Sequence, residues 1–77
     1  MKTIVFDYSR LTGKIIEVYG SKTAFSKAMD WSPTTLTSKL LNRRYWNQAD
    51  IIRASELLRI NIEDIPIYFL TVKVVKS

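Results

Sequence analysis

Residues 21–42 read SKTAFSKAMDWSPTTLTSKLLN, and this stretch decides the fold that the sequence predicts. Phe25, Ala28 and Met29 recur at spacings of three and four residues, which is the pattern of an apolar face on a short helix. The pair Asp30–Trp31 follows directly and ends that pattern. We therefore expect a first helix and then a tight corner at residues 30–31.

A second helix is predicted directly after the corner. Ser32 can accept a hydrogen bond from the first N–H groups of a helix, and Pro33 suits the first helical position because its missing N–H costs nothing there. Leu36 and Leu40 point inward at a spacing of four residues. Because an outer face of hydroxyl groups suits insertion into a DNA groove, residues 21–42 predict a helix-turn-helix motif. The outer face is predicted to consist of Thr34, Thr35, Thr37, Ser38 and Lys39.

The charge of the chain favours a polyanionic partner. The 77 residues are expected to form one domain over residues 1–77. In this domain 12 Lys and Arg against 7 Asp and Glu give a net charge of +5. Within residues 22–44, Asp30 is the only acid. The basic surplus therefore coincides with the motif, where the basic residues are Lys22, Lys27, Lys39, Arg43 and Arg44.

The chain before the motif predicts a strand and a helix. Thr3–Phe6 is a β-branched and aromatic run, which is typical of a short strand. Asp7 is expected to be the N-cap of a helix over residues 8–19, in which apolar residues recur at helical spacing. Gly20 is expected to end that helix.

The chain after the motif predicts two more helices and a strand. Asn47 is expected to cap a fourth helix, with Asp50 three residues later approximating a capping box. A short fifth helix is expected near Glu63–Leu70, with Pro66 in its first turn. The β-rich tail Thr71–Val75 is expected to pair with the N-terminal run as a small antiparallel sheet, or to pair across a dimer.

A family resemblance is carried by Phe25, Trp31, Ser32, Leu36, Leu40, Ile51, Leu58 and Ile60. With the turn between the second and third of five small helices, the chain resembles the lambda-repressor-like (Cro/C1-type, XRE) helix-turn-helix family. Its two ends, residues 6–11 and 63–69, are similar to small Cro-like and modulator-of-repression regulators of temperate phages in Gram-positive bacteria. The resemblance implies an all-α, compact five-helix domain with short N- and C-terminal β-strands. The family usually has alanine at Ser26, glycine at Asp30 and often an apolar residue at Lys39.

The resemblance also implies which residues contact DNA. Residues on the outer face of the second motif helix would reach base edges, and residues at the helix ends would bind phosphates. Each could instead be a solvated surface position, and Asn42 could simply cap the helix. The predicted base contacts are Thr34, Thr35, Ser38 and, at the margin, Thr37. The predicted phosphate contacts are Lys22, Thr23, Lys39, Asn42, Arg43 and Arg44.

Other site chemistries find little support in the sequence. There is no cysteine or histidine, which excludes disulfides, thiolate and imidazole metal ligands, and the commonest nucleophile–base pairs. The acidic pair Glu63–Asp64 suits a helix N-terminus better than acid–base catalysis. Trp31 and Trp46 are expected in the core, while Tyr45 suits either the core or a protein interface.

The sequence thus predicts a double-stranded DNA operator as the partner of a Cro-like homodimeric repressor. We expect no enzyme activity, no cofactor, no small-molecule ligand and no membrane span, and a cytoplasmic location in the bacterial host. The alternative is an antirepressor that acts mainly by binding a phage repressor protein. In that case the motif surface or the aliphatic segment Ile65–Val75 would be the interface.

Overall fold

The computed structural model describes residues 4–73, which form five α-helices, one 3₁₀ turn and two short strands. The predicted all-α class with short terminal strands is therefore confirmed. In chain order the elements are β1 (Val5–Phe6), α1 (Ser9–Tyr19), α2 (Lys22–Ala28), α3 (Pro33–Leu40), α4 (Gln48–Leu58), a 3₁₀ turn (Ile62–Asp64), α5 (Ile65–Phe69) and β2 (Val72–Lys73).

Helix α1 begins one residue later than predicted. Tyr8 occupies its N-cap position, so the assignment of that position to Asp7 is wrong. The Asp7 carboxylate instead accepts a hydrogen bond from the Ser9 N–H at 2.9 Å, reaching the first helical residue from just before the cap. Hydrogen bonding to Ser9 also lowers the pKa of Asp7 from its usual 3.8. Gly20 ends α1 as predicted, with φ of 81°, where glycine has no Cβ to strain.

Helices α2 and α3 are each started by a serine. The Ser21 Oγ accepts a hydrogen bond from the Ala24 N–H at 3.1 Å, and the Ser32 Oγ accepts one from the Thr35 N–H at 3.2 Å. Pro33 follows in the first turn of α3, as the sequence predicted. These local contacts explain why two helices of only seven and eight residues form at fixed positions.

The corner between α2 and α3 is closed by backbone hydrogen bonds. Asp30 has φ of 61°, and its N–H donates to the Lys27 carbonyl at 3.0 Å while the Trp31 N–H donates to the Ser26 carbonyl at 2.8 Å. These two hydrogen bonds around a residue with left-handed backbone conformation form the Schellman motif. The glycine usual at this corner is therefore replaced by an aspartate that adopts the same conformation.

Helices α4 and α5 follow the sequence prediction closely. Asn47 and Asp50 form the complete capping box at the start of α4, because each side chain accepts a hydrogen bond from the backbone N–H of the other. Pro66 lies in the first turn of α5. The predicted capping box of α4 and the predicted position of Pro66 in α5 thus place both helices to within a few residues.

The two ends of the described chain pair as an antiparallel sheet. Val5 lies opposite Lys73 and Phe6 lies opposite Val72, while the Asp7 N–H donates to the Thr71 carbonyl at 2.8 Å. Pairing within one chain is therefore confirmed for these residues. Thr3 and residues 74–75, which the prediction also included, lie outside the described residues.

The core combines side chains from every helix. Ser26 is fully buried, and its hydroxyl donates to the Thr23 carbonyl at 2.7 Å, so this polar departure from the family pattern is satisfied within α2. Trp46 is buried as predicted, with its ring centroid 5.4 Å from that of Trp31 and 5.2 Å from that of Phe69. The buried apolar residues are Tyr8, Leu11, Ile15, Phe25, Met29, Leu36, Trp46, Ala54, Leu58, Ile60 and Phe69.

Candidate functional site

The outer face of α3 carries hydroxyl groups, as predicted, but they differ in exposure. Thr34 and Thr37 are exposed, whereas Thr35 and Ser38 are half-buried. The Thr35 hydroxyl lies 3.0 Å from the Ser32 hydroxyl, so it forms part of the helix cap. Base contact by these four residues stays a prediction, with Thr34 and Thr37 the most accessible of them.

Lys39 does not lie on that outer face, and the prediction that placed it there is wrong. The residue is 6% exposed, and its Nζ donates to the Asp50 carboxylate at 2.7 Å and to the Tyr45 carbonyl at 3.0 Å. The ammonium also lies 4.7 Å from the centre of the Trp31 ring. With these partners Lys39 joins α3 to α4, and its charge is not available to a phosphate.

The sequence contained an indication of this role. Lys39 stands where the resemblance calls for an apolar residue, and Asp50 is fixed nearby because it also accepts the Asn47 N–H at 3.3 Å in the capping box. A cation at an inward position needs an anion, since an unpaired buried charge is costly. The departure from the family pattern was therefore the clue to the ion pair.

Asn42 ends α3 with its backbone and binds β1 with its side chain. It has φ of 63° and lies one residue beyond Leu41, the C-cap of α3, where the Arg43 N–H closes the helix end by donating to the Ser38 carbonyl at 2.9 Å. The Asn42 amide accepts from the Phe6 N–H at 2.8 Å and donates to the Phe6 carbonyl at 2.9 Å. Because this amide pairs with β1 as a neighbouring strand would, its oxygen and one of its N–H groups are already bonded to Phe6, and phosphate contact by Asn42 stays a prediction. Sequence reasoning missed this contact, which spans 36 residues.

The remaining predicted phosphate contacts are exposed. Lys22 and Thr23 lie at the start of α2, and Arg43 and Arg44 follow α3. Among residues 4–73 these cations form no salt bridge, and the Arg44 N–H is held by the Ser38 carbonyl at 3.3 Å. Without Lys39, the exposed cations of residues 22–44 are therefore four: Lys22 and Lys27 on α2, and Arg43 and Arg44 just after α3.

The aliphatic C-terminal segment is divided between core and surface. Phe69 is 2% exposed and belongs to the core, whereas Ile67, Leu70 and Val72 are exposed. The described part of this segment therefore offers apolar surface to a partner. Elsewhere in residues 4–73, no group of three or more candidate ligand side chains is placed to hold a metal ion. No helix in that range has the length and apolarity to cross a bilayer.

Comparisons with known proteins cover nearly the whole described chain. The family model described as "Protein of unknown function (DUF739)" matches residues 4–72. The solution structure of the modulator of repression of the temperate bacteriophage TP901-1 from Lactococcus lactis matches with 40% sequence identity and a TM-score of 0.78. That match covers 91% of this chain and 95% of the other. No curated protein matches the chain.

Proposed function

The chain belongs to the DUF739 family, and from that premise we propose that it is a phage regulator that modulates repression by binding a repressor protein. One observation carries the proposal: the modulator of repression of phage TP901-1 matches this chain at 40% identity across 95% of its own length. A match of this extent supports a shared mode of action as well as a shared fold.

The geometry of the α2–α3 unit supports a protein partner over an autonomous DNA reader. With Lys39 bound to Asp50, no charged side chain remains on the outer face of α3. Hydroxyl groups alone discriminate bases weakly, because most specific contacts in the major groove come from Arg, Lys, Asn and Gln. At the same time the C-terminal segment exposes Leu70 and Val72.

The test uses the repressor encoded in the same phage genome. Purified protein is titrated into purified repressor by calorimetry, and the affinity of the repressor for its operator is then measured with and without the protein. We expect direct binding and a changed operator affinity, with feeble and sequence-indifferent DNA binding by the protein alone. Absence of any complex with the repressor, alone or on its operator, would overturn the proposal.

A second candidate function is sequence-specific DNA binding by a Cro-like homodimer. The exposed cations Lys22, Lys27, Arg43 and Arg44 favour it, because unpaired cations beside a recognition helix suit phosphate contacts. Two copies would then place their α3 helices in half-sites about 34 Å apart.

Selection from random duplex DNA tests this second candidate. A dimeric repressor enriches a two-fold symmetric site, and substitution of Thr34 or Ser38 changes the preferred sequence. Arg43→Ala and Arg44→Ala then weaken binding to all sequences and lower the salt slope by about one unit each. If no site is enriched, the autonomous repressor is rejected and the protein-binding function is retained.

A further inference from the structure

An apolar groove of about 370 Å³ lies between β1, the loop that connects α3 to α4, helix α4 and the end of α5. We call the loop, residues 41–47, the connecting loop. Phe6, Trp46 and Phe69 contribute aromatic rings to the groove, and Ile51 of α4 contributes an aliphatic side chain. The volume lies within the range of roughly 300–1,000 Å³ that is usual for binding pockets.

The rim of the groove exposes three large apolar side chains from three separate parts of the chain: just before β1, in the connecting loop and just after α5. Ile4 is 64% exposed, Tyr45 is 81% exposed and Leu70 is 52% exposed. Single exposed apolar residues are ordinary, but several that converge on one concavity mark an interaction site. Val72 extends this apolar surface, because it lies opposite Phe6 in the sheet and so shares its face.

The two walls of the groove are fixed by the polar contacts described above. Lys39 holds the connecting loop through the Tyr45 carbonyl, at 3.0 Å. Asn42 holds β1 against the same loop through both backbone groups of Phe6. A groove built this way is formed before a partner arrives, which lowers the entropic cost of binding. Lys39 and Asn42 therefore fix the shape of the groove through the backbone of its walls.

The charge around the groove selects the chemistry of its occupant. Asp50, next to Ile51, is paired with Lys39, and Asp7, next to Phe6, is hydrogen-bonded to Ser9. Arg43 and Arg44 precede Tyr45, are exposed and form no salt bridge among residues 4–73. The field at the Tyr45 side of the groove is therefore positive and favours a carboxylate.

From this geometry we infer that the groove receives a bulky apolar side chain of the repressor protein, and that an Asp or Glu beside that side chain pairs with Arg44. The inference rests on the proposed function and adds the surface and the chemistry of the partner segment. Tyr45 lines this largely apolar pocket, and Arg44 precedes it in the chain and is exposed. Tyrosine and arginine are residue types that most often dominate interface energies.

The experiment measures binding of the purified repressor to groove variants and to matched controls. Ile4→Ser is paired with Ile62→Ser, because Ile62 is 79% exposed on the 3₁₀ turn and does not line the groove. Arg44→Glu is paired with Lys27→Glu, an exposed cation on α2. Tyr45→Ala completes the set, and far-UV circular dichroism with a urea melt verifies that every variant is folded.

We expect Ile4→Ser, Tyr45→Ala and Arg44→Glu each to weaken repressor binding by about tenfold or more, and each control to change it by less than about threefold. In ¹H–¹⁵N spectra the indole N–H of Trp46, assigned with Trp31→Phe, should shift on addition of repressor, because Trp46 lines the groove. Arg44→Lys should restore much of the affinity that Arg44→Glu loses.

Two other outcomes overturn the inference and separate it from the proposed function. If the unaltered protein binds repressor and groove variants bind no worse than their controls, the groove is not the interface, and repressor binding itself stands. If the unaltered protein does not bind repressor, both the proposed function and the groove assignment fail.

Discussion

Helices α2 and α3 end in the same backbone geometry but use it differently. After α2, Asp30 adopts φ of 61°, and after α3, Asn42 adopts φ of 63°. In each case the next residue donates its N–H back across the last turn, to the Ser26 carbonyl at 2.8 Å and to the Ser38 carbonyl at 2.9 Å. The Asp30 side chain makes no hydrogen bond within residues 4–73, whereas the Asn42 side chain makes two to β1.

The difference shows where polar residues are free for function and where they hold the fold. At the corner the Asp30 side chain is exposed and the turn is closed by backbone hydrogen bonds, with a further hydrogen bond from the Arg53 guanidinium of α4 to the Ala28 carbonyl at 3.3 Å. The connecting loop depends on its side chains, because Lys39 and Asn42 tie it to α4 and β1. Substitution of Asn42, or of the Asp50 that pairs with Lys39, should therefore change stability first, and substitution of Asp30 should change little besides surface charge.

The largest effect is expected at the ion pair. Asp50→Asn removes the anion that faces the buried Lys39 ammonium and weakens the capping box, so we expect the free energy of unfolding to fall by about 3 kcal/mol. Urea denaturation followed by circular dichroism measures it. The control is Glu17→Gln, which breaks the exposed pair Lys14–Glu17 and should cost less than about 0.5 kcal/mol.

A double variant sharpens this prediction. In Lys39→Met combined with Asp50→Asn, the buried cation is absent as well, so part of the loss should be recovered relative to Asp50→Asn alone. Equal losses for Asp50→Asn and Glu17→Gln would contradict the claim that the connecting loop depends on a buried charge pair.

The next effect is expected at the Asn42 amide. Asn42→Gly keeps the left-handed backbone available but deletes both hydrogen bonds to Phe6, so we expect a loss of about 2 kcal/mol. Asn42→Asp keeps the acceptor for the Phe6 N–H but sets its second carboxylate oxygen against the Phe6 carbonyl, where two acceptors repel, so it should also destabilise the protein. Hydrogen exchange at the Phe6 amide should quicken in Asn42→Gly, where this N–H loses its acceptor, and unchanged exchange would show that the Asn42 side chain does not hold β1.

The sequence was sufficient for the elements that are fixed by local contacts. Ser32, Pro33, Asn47 and Gly20 act on backbone groups within a few residues, and each stands where the cap preferences predicted it. Helical spacing alone likewise places Ala54, Ser55 and Leu58 on one face of α4, and these are its buried residues.

The sequence was insufficient where one side chain serves two distant elements. Asn42 meets Phe6 across 36 residues, and Lys39 meets Asp50 across 11, so no local pattern connects them. Both residues carry groups that suit phosphate binding, which is why the DNA hypothesis included them. The groove was missed for the same reason, since its residues come from four elements that only the tertiary fold brings together.

A smaller effect is expected at the two serine caps. Ser32→Ala removes the acceptor for the Thr35 N–H, and Ser21→Ala removes the acceptor for the Ala24 N–H, so each should cost about 1 kcal/mol. Both measurements use the same urea assay. Substitution by glycine should cost only a few tenths of a kcal/mol in each case, and a loss near 3 kcal/mol for either alanine would contradict the view that these serines act only as local helix caps.

The smallest effect, and the sharpest comparison with Asn42→Gly, is expected for Asp30→Gly. Glycine adopts φ near 61° without the steric strain that a Cβ causes, and no hydrogen bond of the Asp30 side chain within residues 4–73 is lost. The greater freedom of glycine in the unfolded chain opposes this gain, so we expect a net stabilisation of about 0.5 kcal/mol. Substitution by glycine in the same backbone geometry should therefore change the free energy of unfolding in opposite directions after α2 and after α3. If Asp30→Gly destabilises the protein as much as Asn42→Gly does, the Asp30 side chain has a structural role as well, and the distinction between the two helix ends fails.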